Sequence, residues 1–216
     1  MTGHVYDDTF FDYIEAGARA SARSVIAAAL GALRPASVLD VGCGRGAWLA
    51  EWRAAGVEDV AGLDGDYVAR DRLAIPPGRF HAADLTEPAD LGRRFDLVQC
   101  LEVGEHLPRE ASATLVATLC RHGDIVAFSA AVPGQGGENH VNERPLEDWR
   151  DLFAAHGFAA FDALRPALAG RPEIEPWYRY NMLLYANAAG AARLPGAMAA
   201  ARLDPAAPVP RWGDAA

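Results

Sequence analysis

The sequence contains no lysine, and all 20 of its basic residues are arginine. Against these stand 29 acidic residues, so the formal net charge at pH 7 is −9. A chain with this acidic balance lacks the positive surface by which proteins bind the phosphate backbone of nucleic acids. The charge therefore argues against nucleic acid as a partner.

Cysteine is scarce, and long apolar runs are missing. The three cysteines, Cys43, Cys100 and Cys120, are scattered, which excludes a disulfide framework and a thiolate zinc cluster. No apolar run approaches the roughly 20 residues that a membrane-spanning helix needs. The first ten residues are acidic and aromatic, whereas a secretory signal would be basic and then apolar. We expect a cytoplasmic protein without a membrane partner; no feature indicates its oligomeric state.

The chain has 216 residues, 51% of them hydrophobic, which is enough for one domain with a sizeable core. We predict a single domain over residues 1–187 and a loosely held Ala/Pro-rich tail over residues 188–216. Residues 1–35 are expected to form a helical lid in which Tyr13 contacts a cofactor; plain packing of an amphipathic helix is the alternative. Residues 165–180 form a Pro- and Arg-rich insertion that we place on the substrate side.

Segments with strand and helix patterns alternate along the chain. Strands are predicted at residues 37–41, 59–64, 79–85, 95–103, 124–130, 158–164 and 181–186. Helices are predicted at residues 7–33, 47–55, 109–121 and 145–156. This order predicts an α/β fold: a doubly wound, mostly parallel, seven-stranded Rossmann-like sheet with a C-terminal antiparallel hairpin.

A glycine-rich loop follows the first strand and opens a helix. Gly42, Gly44 and Gly46 would let the backbone pass close to a ligand, and the helix N-terminus offers free N–H groups. Three acids stand at the ends of the first three strands: Asp40, Asp64 and Asp84. A βα turn with incidental glycines is the alternative interpretation. The dinucleotide fingerprint G-x-G-x-x-G fits G-C-G-R-G-A-W poorly.

The segments VLDVGCGRG, GLDGD and AADL resemble the class I S-adenosylmethionine-dependent methyltransferases, and the resemblance extends over residues 13–186. It implies that Asp40 and the glycines surround the methionyl part of S-adenosyl-L-methionine. It also implies that Asp64 binds the ribose and that Asp84 lies near the adenine.

The segment LEVGEHL crowds two carboxylates and an imidazole at the end of the fourth strand. Glu102, Glu105 and His106 have the spacing E-x-x-E-H, and His140 lies in a glycine-rich loop after the fifth strand. Like charges this close repel unless a cation or a proton joins them. We expect the four side chains to converge on a divalent ion. The alternative is a turn whose histidine hydrogen-bonds to the backbone and binds no metal.

E-x-x-E-H with a downstream histidine is similar to the pattern of metal-dependent O-methyltransferases that act on terminal RNA ribose or on catechols of the ubiquinone pathway. The resemblance implies a Mg²⁺ or Mn²⁺ ion that chelates two adjacent hydroxyls. The sequence thus predicts an O-methyltransferase for a small hydroxylated acceptor, such as a sugar, a catechol or another diol-like natural product. Two alternatives remain: a metal-independent N- or O-methyltransferase with His106 or His140 as general base, and a non-catalytic cofactor-binding module.

Overall fold

The computed structural model describes the backbone of residues 8–211 and the side chains of residues 17–211. Seven strands form its sheet: β1 Ser37–Val41, β2 Asp59–Asp64, β3 Phe80–Ala82, β4 Leu97–Leu101, β5 Ile125–Ser129, β6 Ala159–Phe161 and β7 Leu183–Ala186. The helices are α1 Asp8–Ala28, α2 Ala47–Ala54, α3 Ser112–His122, α4 Leu146–Ala154, α5 Arg165–Leu168, α6 Pro176–Asn181, α7 Ala188–Ala191 and α8 Gly196–Ala199. None of these helices combines the length and apolar character that crossing a bilayer requires.

The strand order is β3-β2-β1-β4-β5-β7-β6. β1 to β5 pair in parallel, while β7 runs antiparallel to both β5 and β6. The predicted seven-stranded α/β sheet with its antiparallel C-terminal hairpin is therefore confirmed. The strand order reverses between β1 and β4, and in such sheets a ligand crevice opens at the carboxyl ends of the strands that flank the reversal.

Helices cover both faces of the sheet. On one face, Val25 and Leu30 from the first helical segment pack with Trp52 of α2 in one apolar cluster. On the other face, Leu115 of α3 and Trp149 of α4 belong to a second cluster. Every residue of β4 and of β5 is buried, which explains why their sequences are nearly continuous apolar runs.

Several predicted elements are longer than the observed ones. The first predicted helix loses its α-helical form after Ala28 and ends in a 3-10 turn at Leu30–Leu33. β3 and β6 have three residues each because they are edge strands, and each finds one strand partner, β2 and β7 respectively. Apolar residues beyond those ends, such as Leu85 and Leu164, are still buried, so an apolar pattern alone overstates the strand length.

The expectation of a loosely held tail is wrong for residues 188–211. The segment after α8 runs along the β6 edge, where Leu203 N donates to Ala160 O (2.9 Å) and Asp162 N donates to Ala201 O (2.9 Å). Further on, Val209 is buried, and its N–H donates to the Glu147 carboxylate (2.8 Å). The tail covers an edge strand that would otherwise expose unpaired backbone groups. The domain limits themselves remain a prediction.

Two glycines of this tail provide a test of its packing. A Cβ at Gly190 would lie 2.1 Å from the backbone oxygen of Asp124, whereas a Cβ at Gly196 would meet nothing within 4 Å. We expect Gly190→Ala to lower the free energy of unfolding by about 1–3 kcal/mol, as overpacking does. Gly196→Ala should be neutral or slightly stabilising. Urea denaturation of both variants decides the point; equal stabilities would mean that the tail is not packed against β5.

Candidate active site

A cavity of about 1040 Å³ opens at the carboxyl ends of β1, β2 and β4. Its wall combines the turn after β1, the turn after β4, the glycine-rich loop after β5, and α6 from the 165–180 insertion. Its volume is at the upper end of the usual range for ligand pockets, roughly 300–1,000 Å³. Its size therefore leaves room for a cofactor and a small second ligand.

The turn after β1 brings backbone close to the cavity. At Gly42 the φ angle is +79°, and a Cβ there would lie 2.3 Å from Cγ2 of Val103. Only glycine therefore fits here unless the turn after β4, which carries Val103, moves. Gly42 N donates to Leu63 O (2.7 Å), which ties this turn to β2. Gly46, also in the left-handed region, precedes the first residue of α2. Gly42 and Gly44 line the cavity and form a cradle of backbone there, whereas Gly46 lies outside the lining.

Asp64, predicted to bind a ribose, accepts three hydrogen bonds at the cavity. Oδ2 accepts from Gly44 N (2.6 Å), while Oδ1 accepts from Gly65 N (2.6 Å) and from the Tyr67 hydroxyl (2.6 Å). Burial raises the pKa of Asp64, and these donors oppose that rise. A carboxylate offers about four acceptor positions, so these three donors leave one. For both hydroxyls of a ribose to bind Asp64, one present donor would have to leave, and the Tyr67 hydroxyl is the one that a side-chain rotation can remove.

Asp40 lies buried at the end of β1 and lines the cavity. Burial raises its pKa to about 7, although the neighbouring Gln99 side chain opposes that shift. Gln99 is itself held by Trp52, whose Nε1 donates to Gln99 Oε1 (2.8 Å). Sequence reasoning missed Gln99, yet it is the one polar residue in the buried strand β4, which is the signal that could have found it.

The structure gives less support to the cofactor contacts predicted for Asp84 and Tyr13. Asp84 lines the cavity but is exposed, and it accepts hydrogen bonds from Thr86 N (2.9 Å) and Thr86 Oγ1 (2.6 Å). The side chain of Tyr13 lies outside the described residues, so its contact with a cofactor stays a prediction. The first helix does reach the cavity, since Ala18 forms part of the lining.

Glu105 is the most buried acid of the site. It lies in a 3-10 turn, Gly104–His106, and is 0% exposed. Neither of its side-chain oxygens accepts a well-formed hydrogen bond from the described residues. Burial, and then the neighbouring Glu102 carboxylate, raise the pKa of Glu105 to about 9. An unpaired buried carboxylate holds a proton unless a cation takes its place.

Three of the four predicted metal ligands come together. Glu105, His106 and His140 offer ligand atoms that all lie within 4.8 Å of one another. The two imidazole rings meet edge to face, with centroids 4.9 Å apart. Burial, and then His140, lower the pKa of His106 to about 4, so this ring is neutral at pH 7. Neutral imidazoles and a carboxylate are donors that a divalent ion accepts, and the site fits such an ion.

Glu102 does not join that group of three. Its backbone is in the left-handed region (φ 56°), and its Oε2 accepts a hydrogen bond from Gln135 Nε2 (3.1 Å). Gln135 in turn accepts from Asn181 Nδ2 (2.8 Å), which ties the glycine-rich loop to α6. Burial raises the pKa of Glu102. Its role as a metal ligand stays a prediction.

The 165–180 insertion contributes aromatic side chains to the cavity lining. Trp177 and Tyr178 of α6 both line it, and the Tyr178 ring meets Trp48 edge to face at 5.1 Å. Sequence reasoning did not find the Gln135–Asn181 pair or Glu143, which accepts hydrogen bonds inside the glycine-rich loop. The spacing of Glu143, three residues after His140, is a signal that could have indicated their contact.

Comparisons with known proteins agree with this geometry. Residues 13–163 match the family described as "Methyltransferase domain". The chain is 38% identical over 117 residues to the ubiquinone biosynthesis O-methyltransferase of Alkalilimnicola ehrlichii, a match that covers 48% of this chain and 45% of that relative. The chain therefore spans about half the length of the curated relative it matches.

Two solved structures are similar in fold. Magnesium protoporphyrin IX methyltransferase from Synechocystis PCC 6803, with bound SAH, has a TM-score of 0.57 and 22% identity, covering 85% of this chain and 91% of that one. The sugar N-methyltransferase KedS8 from Streptoalloteichus sp ATCC 53650 has a TM-score of 0.56 and 20% identity, covering 87% and 94%. With a family match over most of its length and this fold, the chain belongs to the methyltransferase-domain family.

Proposed function

We propose that the chain is an S-adenosylmethionine-dependent O-methyltransferase that acts on a hydroxyl of a small, diol-bearing metabolite with the help of a divalent ion, Mn²⁺ or Mg²⁺. The observation that carries this proposal is the grouping of Glu105, His106 and His140 within 4.8 Å, on the wall of the cavity that the glycine cradle shapes. Family membership supports the transfer of a methyl group.

The charge of the cavity supports a cationic cofactor. Its described lining carries seven carboxyl groups and a single arginine, Arg45, although burial raises the pKa of four of these acids; the acids are Asp40, Asp64, Asp66, Asp84, Glu102, Glu105 and Glu138. S-adenosylmethionine brings a positive sulfonium and a positive amino group into this field. The same field disfavours an acceptor with a phosphate backbone, which supports a small neutral acceptor.

The ligand group supports an ion beside that cofactor. Its members are one carboxylate and two imidazoles, a set that softer divalent ions accept more readily than Mg²⁺, which prefers all-oxygen ligands. When bound, such an ion would hold two acceptor oxygens and lower the pKa of the hydroxyl that is methylated. Glu105 and the two histidines would hold it at the cavity wall.

The chain's other task is to align the reactants. The acceptor oxygen attacks the methyl carbon as the carbon–sulfur bond breaks, which leaves neutral S-adenosylhomocysteine and releases the hydroxyl proton. Alignment of two bound reactants supplies much of the acceleration in such displacements. Of the two predicted general bases, His106 is weak because its pKa is about 4. A histidine that holds an ion with one nitrogen and carries a proton on the other has no lone pair left, so His140 would take the proton only in the metal-independent alternative; with the ion bound, the proton would pass to water.

Matched acceptors test this function. With methyl-labelled S-adenosylmethionine and Mn²⁺, we expect catechol and a cis-diol methyl glycoside to be methylated on oxygen at least about tenfold faster than phenol and cyclohexanol, because a second hydroxyl adds a contact worth about 1–2 kcal/mol. Mass spectrometry of the products gives the site of the label. Methylation of amines in the presence of EDTA, with no transfer to any diol, would favour the metal-independent alternative. Cofactor binding without transfer would favour a non-catalytic module.

A further inference from the structure

We propose that Glu143 is a positioning residue for His140: it holds the Nδ1–H of that imidazole and turns Nε2 toward the cavity. This inference rests on the proposed function, in which His140 binds the ion. Glu143 lies outside the E-x-x-E-H turn, and its carboxylate points into the glycine-rich loop.

Three nitrogen atoms surround the Glu143 carboxylate. Oε1 lies 3.0 Å from His140 Nδ1 and accepts from Gly136 N at 2.8 Å; Oε2 accepts from Gly134 N at 2.8 Å. An ionised carboxylate can only accept hydrogen bonds, so the short contact with Nδ1 requires the proton to be on that nitrogen. The neutral ring then has its lone pair on Nε2, the nitrogen that remains for a ligand.

The other side of the ring is fixed by shape. A Cβ at Gly137 would lie 2.4 to 2.9 Å from three ring atoms of His140, Nε2, Cε1 and Cδ2, so the backbone at Gly137 packs directly against the imidazole ring. The His106 ring meets the His140 ring edge to face. Glu143, Gly137 and His106 therefore leave the imidazole little rotational freedom, as expected for a histidine whose second nitrogen must point at one place.

Glu143 also joins a rigid segment to an exposed one. Residues 133–139 are exposed, whereas the residues on either side of Glu143 are buried and anchored. Asn142 Nδ2 donates to Gly104 O (3.0 Å) and to Ser112 Oγ (2.9 Å), and Arg144 Nη2 donates to Arg109 O (3.0 Å). Through its carboxylate, Glu143 transmits this anchoring to the loop that carries His140.

Glu143→Gln tests the inference because an amide cannot accept from all three nitrogens: one side of it is itself a donor. Two readouts are recorded at one fixed pH. Long-range ¹H–¹⁵N correlation spectra report which His140 nitrogen carries the proton, and electron paramagnetic resonance of free Mn²⁺ reports metal affinity without turnover. Glu58→Gln, an exposed glutamate before β2, is the matched control.

We expect the wild type and Glu58→Gln to show a single His140 tautomer with the proton on Nδ1. In Glu143→Gln the tautomers should mix, and Mn²⁺ affinity should fall about 10- to 100-fold, as for other carboxylates behind a histidine ligand. Affinity for S-adenosylhomocysteine, measured by calorimetry, should stay unchanged and would show that the variant is folded.

Failure of the Glu143 inference and failure of the proposed metal-assisted function give different results. A wild-type His140 with its proton on Nε2 would overturn the inference, even if Glu143→Gln did not fold. Unchanged tautomer and Mn²⁺ affinity in a folded Glu143→Gln would overturn it as well, and would leave the proposed function standing. If the wild type bound no Mn²⁺ but Glu143→Gln mixed the tautomers, the positioning role would be supported and the metal-assisted function would fail.

Discussion

Chelation of divalent ions with EDTA is expected to abolish methyl transfer. Added Mn²⁺ is expected to restore it, and added Mg²⁺ to restore it less effectively. The physical reason is the buried Glu105 carboxylate: its pKa is about 9 when no cation is near, and both of its oxygens lack a well-formed hydrogen bond from the described residues. The measurement is the initial rate with labelled cofactor after exhaustive dialysis against chelator and after each ion is returned.

Variants of the ligand group separate the ion's role from that of the cofactor. Glu105→Gln and His106→Ala should each lower the rate at least about 100-fold, the size of effect that misplacement of a reactant produces. Affinity for S-adenosylhomocysteine should remain nearly unchanged in both. Glu110→Gln, an exposed acid in the next turn, is the matched control and should behave as the wild type. Full activity after exhaustive chelation would contradict the metal-assisted mechanism.

Asp64→Ala is expected to weaken S-adenosylhomocysteine binding about tenfold or more. The lost contact is a charge-assisted hydrogen bond worth roughly 1.5–3 kcal/mol. The substitution also removes the acceptor for Gly44 N, so the glycine turn loses one of its ties to β2. Calorimetry gives the affinity, and circular dichroism shows whether the fold is retained.

Asp71→Ala serves as the control for Asp64, since Asp71 is an exposed acid seven residues further along the chain. It should bind as the wild type does. Asp64→Asn adds a second comparison, because it keeps one oxygen to accept from Gly44 N while losing the charge. Unchanged binding in Asp64→Ala would remove the ribose role from this residue.

Two strands could be predicted from sequence to the residue, whereas the predicted ranges of β4 and β5 extend two residues and one residue too far at each end. β1 and β2 have the predicted bounds, because a strand buried on both faces is written as a compact apolar run with a polar residue or glycine at each end. The edge strands are shorter than predicted because their length depends on a neighbour. β3, for example, pairs with β2 only over Phe80–Ala82, and no local pattern encodes that limit.

The site could be predicted in part. The glycine turn and the acids at the carboxyl ends of β1 and β2 are local features, and they lie on the cavity as expected. Glu102 departs from the predicted group because its backbone is left-handed and its carboxylate pairs with Gln135, 33 residues away. The Gln135–Asn181 contact spans 46 residues. Pairings of this kind depend on how loops meet above the sheet, which local spacing does not encode.

The tail over residues 188–211 also shows what a local sequence pattern does not reveal. Residues beyond Asn187 have little apolar periodicity, which is why the sequence indicated a loosely held segment. The structure holds them by single anchors instead: Met198 and Val209 are buried, and backbone groups of the tail bond to β6. Isolated anchors of this kind are invisible to a periodicity argument.

The most direct measurement is an anomalous-difference map from crystals grown with Mn²⁺ and S-adenosylhomocysteine. We expect a manganese peak within coordination distance of Glu105, His106 and His140 Nε2, with the cofactor ribose beside Asp64. S-adenosylhomocysteine bound in the cavity of a crystal that shows no peak between these three side chains would contradict the metal-assisted function.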